Sequence, residues 1–299
     1  MKKNPLVIYH ANCNDGFGAA YAAWCALRDF AEYLPMQYGD PVPDVEGRNV
    51  FILDFSFPPE QMDQIHEAAP MLVWRDHHKT AIEAAPSIRF LQGHTAGERA
   101  LDACFDVLLD VNKSGCLLAW EFFFPSKDAP AMLKLIDDRD RWQFKLKGSR
   151  ELHAFLSSIP CDFEQWRHIA QSDLNMIWAG GGAVLRANEH TTNEMLKATT
   201  RRITLAGVDG LCANLPPCFA SEAGNELAKQ SGTFGLTWYV TTDAKVACSL
   251  RSIGDFDVSA IAKQYDGGGH KNAAGFTLPG DQVVWFGAGF LENTNGVEN

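Results

Sequence analysis

Val73-Trp74-Arg75-Asp76-His77-His78-Lys79 is an apolar run that stops in one carboxylate and two imidazoles. Two other segments have the same form: Leu6-Val7-Ile8-Tyr9-His10, followed by Ala11-Asn12-Cys13-Asn14-Asp15-Gly16, and Val50-Phe51-Ile52-Leu53-Asp54. Oxygen-rich ligand sets with one or two imidazoles suit Mn²⁺ or Mg²⁺ rather than the thiolate chemistry of structural zinc. Two such ions held close together can bind a phosphoryl oxygen and activate a water molecule. An isolated Asp-His-His is as often a polar surface turn, and Asn12, Asn14 and Asp15 would also serve as helix caps. The recurrence of the pattern at three strand-like ends favours a ligand set.

These side chains meet only if the three runs are parallel strands, buried on both faces, whose carboxyl ends share one rim. That rim is where open α/β sheets keep their ligands. His10, Asp15, Asp54, Asp76, His77 and His78 would then converge. The small-residue stretch Gly16 to Trp24 reads as a helix packed closely on the sheet, its N-terminus favouring anions. Residues 32–36 read as a further strand, 59–69 as a helix, 88–91 as a short edge strand and 93–103 as a loop. A strand at 105–111, the polar turn Asn112-Lys113-Ser114-Gly115 and a helix at 116–124 make a second place suited to phosphate. A helix at 130–136 runs into the charged cluster Asp137-Asp138-Arg139-Asp140-Arg141-Trp142. From 151 to 199 the pattern is helical, with a break expected at Gly180-Gly181-Gly182. A second α/β unit follows, with strands at 203–208, 211–215, 234–240 and 246–250 and helices at 221–228 and 258–265. It ends in Gly267-Gly268-Gly269-His270, where the glycines would let backbone N–H groups approach a phosphate.

Taken together and in order, the His10…Asp15-Gly16 opening, the strand-end Asp54, Asp76-His77-His78 and the distant Gly267-Gly268-Gly269-His270 resemble the DHH/DHHA1 phosphoesterases. That family includes RecJ-type exonucleases, nanoRNases and phosphoadenosine-phosphate phosphatases, and the resemblance covers residues 5–278. It implies an α/β fold in two lobes. A parallel-sheet DHH domain carrying the metal site would span 1–150, a helical connector 151–200, a smaller α/β DHHA1 substrate-binding domain 201–286, and a tail or appended helix 287–299. It implies two Mn²⁺ ions, or Mg²⁺, held by His10, Asp15, Asp54, His77 and Asp138, with Asp54 bridging. Asp138 is chosen over Asp137 and Asp140, which the spacing leaves open. Asp76 and His78 would form the catalytic pair, Asp76 orienting a neighbouring histidine and His78 facing the scissile phosphate. Lys113, Ser114, Arg251, Ser252, Gly268, Gly269 and His270 would hold substrate. The family's opening often supplies a histidine and two aspartates, whereas Asn12, Cys13 and Asn14 here surround a single Asp15. Fewer protein ligands and more water on one ion are the implied result, with Asn14 able to offer a neutral oxygen.

The 299 residues, 46% of them hydrophobic, suffice for two domains with real cores. A net charge of −11 argues against gripping long nucleic acid by a broad basic face. Short oligonucleotides or small nucleotides are the expected substrates, RNA and DNA being equally open, and no long-duplex binding is expected. Eight cysteines without a C-x-x-C pair suggest reduced thiols and a cytoplasmic protein. No signal or membrane-spanning segment is read, and a homodimer is left open. The expected activity is metal-dependent hydrolysis of phosphodiester or phosphomonoester bonds. Its rivals are a pyrophosphatase or polyphosphatase with the same metal core, and a nucleotide-sensing protein weakened at Asn12 and Asn14.

Overall fold

The computed structural model describes residues 3–94, 98–282 and 290–291. Part of the expected 93–103 loop, and the expected tail at 287–299 apart from Phe290–Leu291, lie outside the described residues. The chain divides into two compact units, Met1–Leu185 and Arg186–Asn299.

In the first unit β1 (Leu6–His10), β2 (Glu32–Met36), β3 (Asn49–Leu53), β4 (Met71–Asp76), β5 (Ala100–Leu101) and β6 (Phe105–Leu109) form one sheet of order β2-β1-β3-β4-β6-β5. All pairs are parallel except β5 with β6. Alternate side chains leave opposite faces of a strand. Leu6 and Ile8 therefore join Ile52 and Trp74 under Met62 and Ile65 of α2 (Pro59–Ala68) and Ala81 of α3 (Lys79–Ala84). Val7 and Tyr9 join Leu53 under α1 (Asn14–Leu27), α4 (Gly115–Phe123) and α5 (Ala131–Asp140). Burial on both faces is why these strands read as continuous apolar runs.

The helices α6 (Ser149–Leu156) and α7 (Phe163–Gln171) and the start of α8 (Leu174–Thr199) add Leu152, Leu156, Trp166, Ile169 and Ile177 to the second of these faces. Two local expectations are corrected. Residues 88–91 form no edge strand but a short 3-10 turn over Arg89–Leu91. The Asp63 carboxylate accepts the Arg89 and Phe90 amides that a strand would have offered to a neighbour. Nor does the glycine triplet break the connector, because α8 runs unbroken through it. A Cβ on Gly181 would lie 1.9 Å from the carbonyl oxygen of Glu151, so the glycine serves the close approach of α6 to α8.

In the second unit β7 (Arg201–Leu205), β8 (Val208–Asn214), β9 (Phe234–Val240), β10 (Val246–Ser252), β11 (Gly268–His270), β12 (Ala273–Leu278) and β13 (Phe290–Leu291) form a mixed sheet of order β11-β12-β10-β9-β8-β7-β13. The helix α9 (Ala220–Ser231) crosses between the parallel strands β8 and β9 and packs, with Leu196 of α8, on Ala213 and Leu215. On the other face α10 (Ser259–Lys263) covers Ile203, Leu236, Leu250 and Phe276. No disulfide joins the eight cysteines. Among the described residues no helix is long and apolar enough to cross a membrane.

Candidate metal centre

Strand order reverses at β1, which has β2 on one side and β3 on the other. The carboxyl ends of β1 and β3 therefore flank the crevice where such sheets bind ligands. Tyr9 is in register with Leu53, and Leu53 with Arg75. The residues that follow each, His10, Asp54 and Asp76, consequently form a row across three strand ends. Asp54 leaves β3 in the left-handed region, at φ 55°, a conformation that aspartate tolerates better than most residues. Its amide donates to the carbonyl of Arg75 at 2.8 Å, which holds the turn against β4. Asp15 stands in the first turn of α1, and His77 directly follows β4.

His77 Nε2 lies 3.1 Å from Asp54 Oδ1, 3.4 Å from Asp15 Oδ2 and 3.6 Å from Asp140 Oδ2. On the other side of Asp54, Oδ2 is 3.8 Å from His10 Nδ1. The Asp54 side chain is buried, yet neither carboxylate oxygen has a hydrogen-bond partner. A buried carboxylate whose oxygens make no hydrogen bond relies on the cations that face it, here the His77 imidazolium or a metal ion in its place. Three sets of side chains, Asp15/His77/Asp140, His10/Cys13/Asp54 and Asp54/Asp76/His78, each bring their ligand atoms within 4.8 Å of one another. The donor types and the unsatisfied Asp54 oxygens thus fit divalent cations, with Asp54 common to two of the sets.

Electrostatics follow from this crowding. Burial alone would raise the Asp54 carboxyl, but the His10 and His77 imidazoles hold it far below the usual carboxylate range. Burial, with Asp54 and Asp140 beside it, pushes Asp15 well above that range. Burial would lower His77, but Asp54, Asp140 and Asp15 outweigh it and keep the imidazolium well above its usual pKa. Asp76 is differently placed. Its Oδ1 accepts the amides of His77 at 2.7 Å and His78 at 3.2 Å and lies 2.6 Å from His78 Nδ1, while Oδ2 accepts the Ser56 hydroxyl. Against its burial, His78 brings the Asp76 carboxyl down to about 2.

Asp15 does double duty, since its oxygens accept the amides of Gly115 at 2.7 Å and Cys116 at 3.0 Å. The N-terminus of α4, expected to suit phosphate, therefore faces a carboxylate of the cluster. Gly115 leaves room for Asp54, whose Cβ would be 2.4 Å from any Cβ added there. Ser114 is buried, with Oγ 3.3 Å from Cys116 Sγ, and Lys113 pairs with Glu121 at the surface. The three aspartates of α5 point to different tasks. Asp137 accepts the Ser114 amide, Asp138 accepts those of Lys145 at 2.8 Å and Leu146 at 3.1 Å, and Asp140 faces His77. The structure thus brings Asp140, rather than the chosen Asp138, into the cluster. The Asn14 amide nitrogen lies 3.1 Å from His153 Nδ1 of α6 and donates at 3.3 Å to Ser157 Oγ just beyond that helix.

Sequence reasoning also passed over Cys13, Ser56 and Tyr38. Cys13 and Ser56 lie three and two residues beyond His10 and Asp54, a spacing that could have flagged them. Tyr38 stacks on Phe55 and sets its ring edge-on to His10 and His78, and nothing in the sequence signals that.

In the second unit the Arg251 guanidinium donates to the Leu250 carbonyl and to Ser221 Oγ, both at 2.9 Å. Ser252 is buried, its hydroxyl donating to the Phe256 carbonyl at 2.6 Å and accepting from Asn272 at 2.9 Å. Gly268, Gly269 and His270 form β11, paired with Gly275, Ala274 and Ala273 of β12, so the glycine run is an edge strand rather than an open loop.

The profile of the DHHA1 domain matches residues 220–285. An uncharacterized protein, R106, of Acanthamoeba polyphaga mimivirus is 28% identical over 302 residues, covering 92% of this chain and 68% of that protein. The fold is similar to that of the DHH domain of a member of the S1p family of ribosomal proteins, with TM-score 0.54 and 14% identity over 96% of this chain and 85% of the other. A structure of a pGpG-specific phosphodiesterase, PggH, from Vibrio cholerae aligns with TM-score 0.47 and 14% identity over 96% of this chain and all (100%) of the other.

Proposed function

We propose that this chain, whose residues 220–285 match the DHHA1 domain, is a DHH/DHHA1 phosphoesterase and a metal-dependent hydrolase of phosphodiester or phosphomonoester bonds in short oligonucleotides or small nucleotides. One observation carries the reading: a buried carboxylate, Asp54, lies between two imidazoles with neither oxygen in a hydrogen bond. We assign one divalent ion to Asp15, Asp54, His77 and Asp140 and a second to His10 and Asp54, with Mn²⁺ preferred and Mg²⁺ the alternative. When bound, the ions would supply Lewis-acid binding of a phosphoryl oxygen and activation of water.

The side chains do the rest. Asp76 fixes the ring of His78 through Nδ1, and His78 is proposed to face the scissile phosphate from that fixed position. Burial would lower the His78 pKa, but Asp76 outweighs it and raises it from its ordinary value, which suits a role in proton donation to a phosphate or leaving oxygen. Asp15 anchors the amides of Gly115 and Cys116 and thereby keeps α4 against Asp54. In the second unit Arg251 and His270 are proposed to hold the substrate's phosphate or terminal nucleotide, Arg251 through its planar fork. Ser252, Gly268 and Gly269 support them by shaping the backbone. Lys113 is proposed as a weaker phosphate contact, and Ser114 as a residue that sets its turn. The acidic chain, at net charge −11, favours short substrates over long nucleic acid.

The test is end-point hydrolysis with Mn²⁺ of a labelled dinucleotide, pentamer and 20-mer in RNA and DNA, phosphoadenosine phosphate and pyrophosphate, beside His77→Ala. Turnover of short nucleotides that disappears in the variant is expected. Silence across the panel, with the same ligands still bound, would replace this reading with that of a nucleotide sensor.

A further inference from the structure

We propose that Cys13 is a metal ligand, its thiolate joining His10 and Asp54 at the second ion and giving that position a preference for thiophilic divalent ions over Mg²⁺. The inference rests on the two-ion reading above and specifies one of its sites. Cys13 Sγ, a His10 ring nitrogen and an Asp54 carboxylate oxygen lie within 4.8 Å of one another. Asp54 is buried with neither oxygen in a hydrogen bond, while His10 and Cys13 are only partly buried, so the open side of the set is formed by imidazole and sulfur.

Among the cysteine and carboxylate side chains of this stretch, Cys13 is the one grouped with His10 and Asp54. Asn14, next in sequence, turns its amide nitrogen to His153 of α6 and to Ser157 just beyond it. Asp15 binds the first amides of α4 and stands beside His77 rather than His10. Asn12 takes a left-handed φ of 56°, and Gly16 sits so close beneath His10 that a Cβ there would be 2.2 Å from the His10 carbonyl oxygen. The turn is thus folded back tightly, with Cys13 over the end of β1. Binding breaks the S–H bond, sends the proton to solvent and forms a sulfur–metal bond, with no change of oxidation state. A thiolate added to imidazole and carboxylate shifts the relative preference toward Zn²⁺, Co²⁺ or Fe²⁺ and away from Mg²⁺ without removing the ability to take Mn²⁺.

The experiment is titration of the metal-stripped full-length protein with Co²⁺ under reducing conditions, following the near-ultraviolet thiolate-to-cobalt charge-transfer band and counting bound cobalt by elemental analysis. Wild type is expected to bind two equivalents and show the band. Cys13→Ser and Cys13→Asp, each checked for native circular dichroism, are expected to lose it. Groups that merely support a ligand are worth about 10–100-fold in metal affinity, so Cys13→Asp should lower the Zn²⁺-over-Mn²⁺ preference by at least about tenfold. Two bound equivalents without the band in wild type, or a band that survives in Cys13→Ser, would overturn the assignment and leave the two-ion site standing. No bound cobalt in wild type would overturn both.

Discussion

Replacing Gly115 with alanine puts the position of Asp54 to the test. The added Cβ would lie 2.4 Å from Cβ and 2.6 Å from Oδ1 of Asp54, whereas ordinary contact begins near 3.4 Å. One partner must retreat by about 1 Å. Gly115 cannot do so freely, because Asp15 holds its amide at 2.7 Å and that of Cys116 at 3.0 Å. Asp54 is pinned at its backbone by Arg75, so its side chain takes up the displacement and moves relative to His10 and His77. A shift of about 1 Å in a catalytic constellation lowers turnover by about 100-fold. Overpacking of this kind costs about 1–3 kcal/mol, small enough against a domain stability of about 5–15 kcal/mol that the protein stays folded. Turnover of a dinucleotide with Mn²⁺, calorimetric metal affinity and urea denaturation would be measured side by side. A folded Gly115→Ala protein with wild-type turnover and wild-type metal affinity would refute the reasoning.

Asp140→Asn is expected to weaken metal binding and turnover with little loss of stability, whereas Asp138→Ala should cost about 1–3 kcal/mol by orphaning the Lys145 and Leu146 amides and leave turnover per folded molecule nearly unchanged. The reverse pattern in parallel titrations and melts would return the ligand role to Asp138. Asp106→Ala leaves the guanidinium of Arg75 buried without its carboxylate and should cost roughly 3–5 kcal/mol at neutral pH. Burial would raise the Asp106 pKa, but Arg99 and Arg75 hold it below the ordinary value. Its contribution is therefore complete above about pH 4 and lost as pH falls through the depressed value, so an unfolding free-energy gap between wild type and variant that stays constant down to about pH 3 or below would count against it. Along α8, Gly180 has only an ordinary 3.4 Å contact with Phe155, and Gly180→Ala should stabilise by about 0.5–1 kcal/mol. Gly181→Ala, 1.9 Å from the Glu151 carbonyl oxygen, should destabilise by about 1–3 kcal/mol, and equal denaturation midpoints for the two would contradict the packing described.

The parallel sheet was readable because strands buried on both faces must be apolar throughout, and Leu6–His10, Asn49–Leu53 and Met71–Asp76 are nearly so. Reading their polar last residues as one rim needed only the rule that parallel strands share a carboxyl edge. The choice among Asp137, Asp138 and Asp140 was not readable. Successive helix residues are about 100° apart, so the rotation of α5 against its neighbours decides which aspartate faces His77, and that rotation is a property of tertiary packing. The glycine triplet misled for a related reason. Composition records the missing side chain but not the backbone of α6 that occupies its place. Arg75 went unremarked within β4, although the arginine in a buried run was visible. Its partners, Asp106 at 2.8 Å and the ring of Phe122, lie far along the chain.

His77 stands among Asp15, Asp54 and Asp140 with its imidazolium favoured and the Asp15 carboxyl also held toward its protonated form. On the proposed metal reading, a proton and a divalent ion would compete for the same few atoms. Loading such a site would be an exchange in which cations enter and protons leave, so apparent affinity would climb with pH until these groups are already stripped. The centre is in that sense an ion exchanger set by its own wall of carboxylates. The ambient acidity, as much as the supply of metal, would govern how much of the protein is ready to act.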